Sequence, residues 1–255
     1  MNDNRDFDES KLDGAEIRLA PNSPFFAKLD NFWYYHKWKV IIIAFFAIVI
    51  IVGVVQMVGK TDADASVVIA VPETVTPLQS RDISTALGQL LPNDANGDGK
   101  KDLDVLAYPI YSEEELDKAN HTETETEADG GWHYVPVVDQ SYNVDRHKEY
   151  TAYLQGGEAA VLFVSEYLFE SLRTHDRVLP LSEIFGESLP TGVVADGYGV
   201  RLGDLAIYSY IDALKVIPED TIVCILRPYV FGKNANEDRY ECAKGLFKNI
   251  VTFSE

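Results

Sequence analysis

The chain has 255 residues, 46% of them hydrophobic and 25% charged, so it can bury a substantial core and is not composed like a disordered polymer. Its 22 Lys and Arg stand against 41 Asp and Glu, a formal charge of −19 at pH 7. That balance argues against nucleic acid and other polyanions as partners, because binding them relies on clustered Lys and Arg.

The charge is partitioned. Residues 1–60 hold seven basic and seven acidic residues, so the whole acidic excess belongs to residues 61–255, a length suited to one domain. Residues 1–24 are polar with few apolar positions and read as a disordered cytoplasmic tail. Residues 25–39 follow as an interfacial segment, with Phe32, Trp33, Tyr34, Tyr35 and Trp38 at head-group level and Lys37 and Lys39 beside them.

Residues 40–58 (VIIIAFFAIVIIVGVVQMV) are nineteen positions with one polar member, Gln56. At about 1.5 Å per residue they cover nearly all of a ~30 Å hydrocarbon core, which predicts a single transmembrane helix with the lipid bilayer as its partner. Lys28, Lys37 and Lys39 precede the span closely, and only Lys60 follows it before Arg81. The asymmetry predicts a cell-membrane protein with a cytoplasmic N-terminus and an extracytoplasmic C-terminal domain. A cleaved leader is the competing reading, since Ala63-Asp64-Ala65 before Ser66 has the small-residue pattern. However, the polar front and the apolar stretch are both longer than a signal peptide uses.

Beyond Thr61, short apolar runs alternate with helical periodicity, the pattern of an α/β domain with a mixed sheet. Residues 67–71 (VVIAV) predict a buried strand. Ile83, Ala86, Leu87, Leu90 and Leu91 predict an amphipathic helix over 80–91 with Ser80 near its N-cap, stopped by Pro92. A strand is expected over 103–107, then a short acidic helix ending near Asn120 and opened by a Ser112/Glu115 capping box. Residues 119–131 alternate Thr and Glu and read as an acidic loop, followed by an edge strand at 135–138. Tyr150, Tyr153 and Leu154 mark a helix ending at Gly156-Gly157. A strand over 159–164, a helix over 166–173, a strand-rich patch over 198–210, a strand over 221–226 and a closing helix over 237–251 complete the order.

The stretch YLQGGEAAVLFVSEYLFESLRTHDRVLPLSEI, with the elements before it, resembles the first lobe of bacterial extracellular solute-binding proteins of ABC importers. The resemblance covers roughly residues 67–184: a helix ending in a Gly-Glu turn, a strand, a Ser-Glu helix start, and Leu179-Pro180-Leu181. It implies a lobe-like α/β fold and a ligand-binding or accessory role beside an envelope or transporter protein; the chain departs from the family in being too short for two lobes and in carrying a transmembrane helix where family members are lipid-anchored or free. In an open α/β sheet the crevice lies beyond the carboxyl ends of the strands. The expected ligand-binding lining is therefore Glu73, Tyr108, Tyr111, Ser165 and Glu166, with Trp132 as an aromatic platform.

Residues 94–102 read D-A-N-G-D-G-K-K-D, with oxygen side chains at positions 1, 3, 5 and 9 around glycine turns. Calcium prefers six to eight oxygens, and Asp94, Asn96, Asp98, the Lys100 carbonyl and Asp102 are the expected metal ligands of a structural Ca²⁺ loop. The loop resembles those of dockerins and integrin propellers, although Val105 stands where a full EF-hand has its bidentate Glu. Cys224 and Cys242 are a disulfide candidate in an extracytoplasmic setting. The histidines lack H-E-x-x-H spacing, and neither a G-x-S-x-G elbow nor a phosphate loop occurs. No catalytic residue and no organic cofactor are expected. A non-catalytic binding or accessory module is the first reading, a structural or interaction component of the envelope the second, and an extracytoplasmic hydrolase the third.

Overall fold

The computed structural model describes residues 24–58, 62–125, 139–194, 197–228, 230–232 and 235–254. They divide into two units, Met1–Lys60 and Thr61–Glu255. In the first, the described residues form one helix, α1 (Pro24–Val58), so the aromatic segment and the apolar span are continuous. Proline opens it, where a missing N–H breaks no intrahelical bond. Phe32–Val54 is long and apolar enough to cross a membrane, and its large side chains are exposed. Uncovered apolar surface of this extent is compatible with association with a lipid bilayer. The tail expected over 1–24 lies, up to Ser23, outside the described residues.

The second unit is a mixed α/β domain. Its strands are β1 (Ala65–Val71), β2 (Leu103–Pro109), β3 (Val161–Val164), β4 (Val193–Val194), β5 (Gly199–Arg201) and β6 (Ile222–Ile225). They form one sheet in the order β2-β1-β3-β6-β5-β4. β1 runs parallel to both β2 and β3, and the β3–β6, β6–β5 and β5–β4 pairs are antiparallel. All seven residues of β1 are buried, Ser66 included, and its apolar run Val67–Val71 suits a strand covered on both faces.

The helices are α2 (Pro77–Gly88), α3 (Glu113–Glu125), α4 (Gln140–Gln155), α5 (Glu166–Thr174), α6 (Ser182–Phe185), α7 (Ala206–Tyr210) and α8 (Glu237–Val251). Alternating strand residues divide the core into two layers. Val67, Ile69, Phe163 and Val223 pack with Ile83 and Leu87 of α2 and Ala243, Phe247 and Ile250 of α8. Val68, Ala70, Leu162 and Val164 pack on the other face with Tyr150 and Leu154 of α4 and Leu168 and Phe169 of α5.

The structure corrects several boundaries. Thr76, not Ser80, caps α2: its Oγ1 accepts the Gln79 N–H and Gln79 Oε1 accepts the Thr76 N–H. A complete capping box with Pro77 behind it outcompetes the later serine. The Ser112/Glu115 box is formed, but α3 continues to Glu125 into the stretch read as an acidic loop. The expected strand at 135–138 lies outside the described residues. Over 198–210 only Gly199–Arg201 is strand; Leu202, Leu205 and Ile207 enter the core from a 3₁₀ turn (Leu202–Asp204) and α7. The Ala65–Ser66 bond of the competing cleavage pattern lies inside β1, where these residues pair with Leu103 and Asp104.

The two cysteines do not form a bridge. Both are buried free thiols, and they belong to different core layers, Cys224 with α4 and α5 and Cys242 with α2 and α8. The sheet stands between them.

Candidate functional site

The order β2-β1-β3 places a switch point at β1, from which the chain first turns to β2 on one side and later to β3 on the other. Backbone bonds tie the strand exits together. The Ile110 N–H donates to Val71 O at 3.1 Å, and the Ser165 N–H donates to Ala70 O at 3.0 Å. Glu73, Tyr111 and Ser165 therefore leave the sheet from adjacent strands.

Their electrostatics are coupled. Glu73 is an exposed residue, yet partial desolvation raises its carboxyl above its ordinary pKa; a backbone hydrogen bond opposes the shift, and the negative charges of Asp220 and Glu115 add to it. Burial raises the Tyr111 phenol, and Glu73, Tyr142 and Glu115 push it further. Glu73, Tyr111, Glu115 and Asp220 thus share one acidic neighbourhood. Ser165 opens α5 without a side-chain cap bond, and its buried Oγ makes no hydrogen bond. Glu166, one residue on, is exposed.

Tyr108 is not in that group. It is paired with Ala70 across the sheet and turned into the core under α4, its ring centroid 6.1 Å from that of Tyr150 and 6.4 Å from that of Tyr153. Trp132 lies outside the described residues. A cleft of 460 Å³ adjoins the site, with Tyr111, Asn143, His147 and Tyr167 in its wall. Sequence reasoning missed Glu115, Asp220 and Asn143. The capping box flagged Glu115 only as a helix start, and Asp220 reaches the site because β6 returns antiparallel beside β3.

Loop 94–102 is closed by its own side chains. Asp94 accepts the N–H groups of Gly97 and Gly99, both at 2.7 Å, Asn96 accepts that of Asp98 at 2.8 Å, and Asp98 that of Lys100 at 2.9 Å. Gly97 and Gly99 take φ of 74° and 87°, which suits glycine. The bonds from Gly99 and Gly97 hold the Asp94 carboxyl below its ordinary pKa.

The anchor of the loop is Asp64, which is 1% exposed. Its Oδ1 accepts the N–H groups of Ala95 and Asn96 at 2.7 and 2.9 Å, and its Oδ2 accepts that of Asp102 at 2.9 Å. The Asp64 N–H donates to the Asp102 carbonyl at 2.8 Å. The only local signal for this role was an acid between two alanines at the mouth of an apolar run. Among the described residues, no group of three or more His, Cys, Asp or Glu is gathered to hold a metal ion. Comparison with protein-family models, with curated proteins and with solved structures finds no match for this chain, so its function is argued from its own residues.

Proposed function

We propose that this chain is a single-pass, membrane-anchored binding or accessory module of a bacterial envelope, its α/β domain extracytoplasmic and its ligand site the non-catalytic crevice beside Glu73, Tyr111 and Ser165. The observation that carries the reading is the switch point at β1, where a raised carboxyl, a half-buried phenol and an unpaired buried hydroxyl leave adjacent strands. A ligand rich in hydroxyl or amino donors suits that set, because Glu73, Glu115 and Asp220 offer acceptors. The α1 helix supports anchoring by its length and uncovered apolar surface.

A thermal-shift screen of the full chain in detergent against sugars, amino acids and short peptides tests the reading. Stabilisation by one class, lost in Glu73→Gln and Ser165→Ala, supports it. A flat screen together with a co-purifying membrane protein turns the assignment to the envelope-interaction reading.

Loop 94–102 is part of the proposal as a structural Ca²⁺ loop. Each oxygen of Asp94, Asn96 and Asp98 that accepts an N–H keeps a second lone pair. Calorimetric titration with Ca²⁺ decides this: no heat and an unchanged melting temperature at millimolar metal sink it.

A further inference from the structure

The end of the sheet at which the chain enters β1 carries an apolar tip. β1 and β3 run parallel, β6 runs antiparallel to β3, and the Leu226 N–H donates to the Ala160 carbonyl at 2.8 Å. The chain therefore leaves β6 at the end where β1 and β3 begin. Val230 and Phe231 follow there, 93% and 60% exposed. Among the described residues of the domain, no other two consecutive large apolar residues are both exposed, and none is as exposed as Val230.

The backbone seats this loop on the domain. Gly232, with φ of 81°, lies so close to the turn between α4 and β3 that a Cβ there would collide with the Gly156 carbonyl. A few residues on, Asn236 caps α8, and Arg239 in its first turn places Nη2 3.7 Å from Asp62 Oδ2, so the loop opens into the helix that also meets the entering chain. A turn in water is ordinarily made of Gly, Asn, Asp or Ser, and adjacent exposed valine and phenylalanine point to an apolar surrounding.

We propose that the Val230–Phe231 tip rests in the surface of the lipid bilayer that α1 spans, a proposal that builds on the anchoring reading above. Six residues, 59–64, join Val58 to Ala65, and that stretch reaches no more than about 25 Å at full extension. So short a tether keeps lipid at a high effective concentration around the entry end of the domain, and a contact of two side chains, too weak to recruit a free protein, then suffices. Valine and phenylalanine suit the boundary between head groups and acyl chains, where apolar side chains are buried about 5–10 Å deep. The contact is apolar and not ionic, since residues 61–255 carry the whole acidic excess and anionic head groups repel it.

The test uses the full chain in phosphatidylcholine vesicles with one nitroxide label, at Val230→Cys, Leu78→Cys or Ile43→Cys; Cys224 and Cys242 are buried and stay unlabelled. Collisions with oxygen, which partitions into lipid, are compared with collisions with a water-soluble nickel chelate. Leu78 is 68% exposed in the first turn of α2, beyond the opposite end of β1, and sets the aqueous value. The oxygen-to-nickel ratio at 230 is expected to exceed that at 78 several-fold; should Val230→Cys not fold, Phe231→Cys takes its place with the same expectation. A label at 230 as aqueous as the one at 78, with the label at 43 in lipid, overturns the proposal and leaves the anchoring intact. An aqueous label at 43 overturns both. A ratio at 230 that rises only when phosphatidylglycerol replaces part of the phosphatidylcholine also overturns the proposal, because the contact is then ionic.

Discussion

Asn143 grips the backbone of Tyr111 by both of its polar groups: Oδ1 accepts the N–H at 2.9 Å and Nδ2 donates to the carbonyl at 2.9 Å. A side-chain amide used this way imitates a neighbouring strand, which β2 lacks on its outer side because it is the edge of the sheet. The pair fixes the exit of β2 to the first turn of α4. Asn143→Ala is expected to cost about 1–3 kcal/mol, since both backbone groups of half-buried Tyr111 lose their partner. Urea unfolding followed by circular dichroism measures it, and a midpoint equal to wild type would show that the turn holds without the pair.

Asp64→Ala should be among the most damaging single changes in the domain. It strips three N–H groups of a charged acceptor and frees loop 94–102 from the start of β1. A loss of about 3–5 kcal/mol is expected, the range for removing one partner of a buried charged group. Asp64→Asn keeps one acceptor oxygen and should fall between. Hydrogen exchange at Ala95, Asn96 and Asp102 reports the loosening directly, and unchanged protection there would refute the anchoring role.

Alkaline pH should weaken the domain through Tyr240. Its hydroxyl donates to Leu226 O at 2.8 Å, the residue is 8% exposed, and burial, helped by Glu241 and Glu183, pushes its pKa up to about 12. The folded value lies above the unfolded one of about 10, so the folded state holds the proton more tightly. The stabilisation is therefore complete below about pH 10 and is lost as pH rises to about 12, on the order of 2 kcal/mol. Tyr240→Phe should flatten that part of the stability–pH curve while costing about 1 kcal/mol at neutral pH. An unaltered slope would mean that other tyrosines carry the dependence.

The thiols give a simple count. Burial raises the pKa of both Cys224 and Cys242, so few thiolates form at pH 8 and neither should react with a thiol reagent in the folded chain. Denatured, unreduced protein should return two thiols. A count of zero would mean that oxidation had joined residues which the structure sets on opposite faces of the sheet.

Anchoring by α1 predicts retention in membranes after alkaline carbonate washing. An arginine at Ile43 together with one at Ile50 should release the chain, because each costs about 2.5–3.5 kcal/mol near the bilayer centre. Retention of that double variant would point to attachment by other means.

How much of this could be read beforehand depended on range. The closing helix α8 matches its expected bounds because Tyr240, Ala243, Phe247 and Ile250 repeat at the helical period and all four are buried. β1 was legible as an unbroken apolar run. Tyr108 was not, since its direction depends on a register that pairs it with Ala70 and sets it under α4. Asp220 and Asp64 were hidden for a stronger reason. Their partners lie far off in sequence, and only the return of β6 beside β3, or the meeting of the 94–102 loop with the start of β1, brings them into place.

Asp64 also sits where the chain enters β1, the first strand of the sheet, six residues after the end of α1. Tension drawn along the chain from its N-terminal side reaches this carboxylate before it reaches any pair of the sheet. The staple shares the load between β1 and the loop leading into β2, so Ala65 is not the first point to peel. Behind it, the seven parallel pairings of β1 with β2 resist in shear, all at once, instead of opening one by one. A domain loaded from its N-terminal end would thus be reinforced where the load enters.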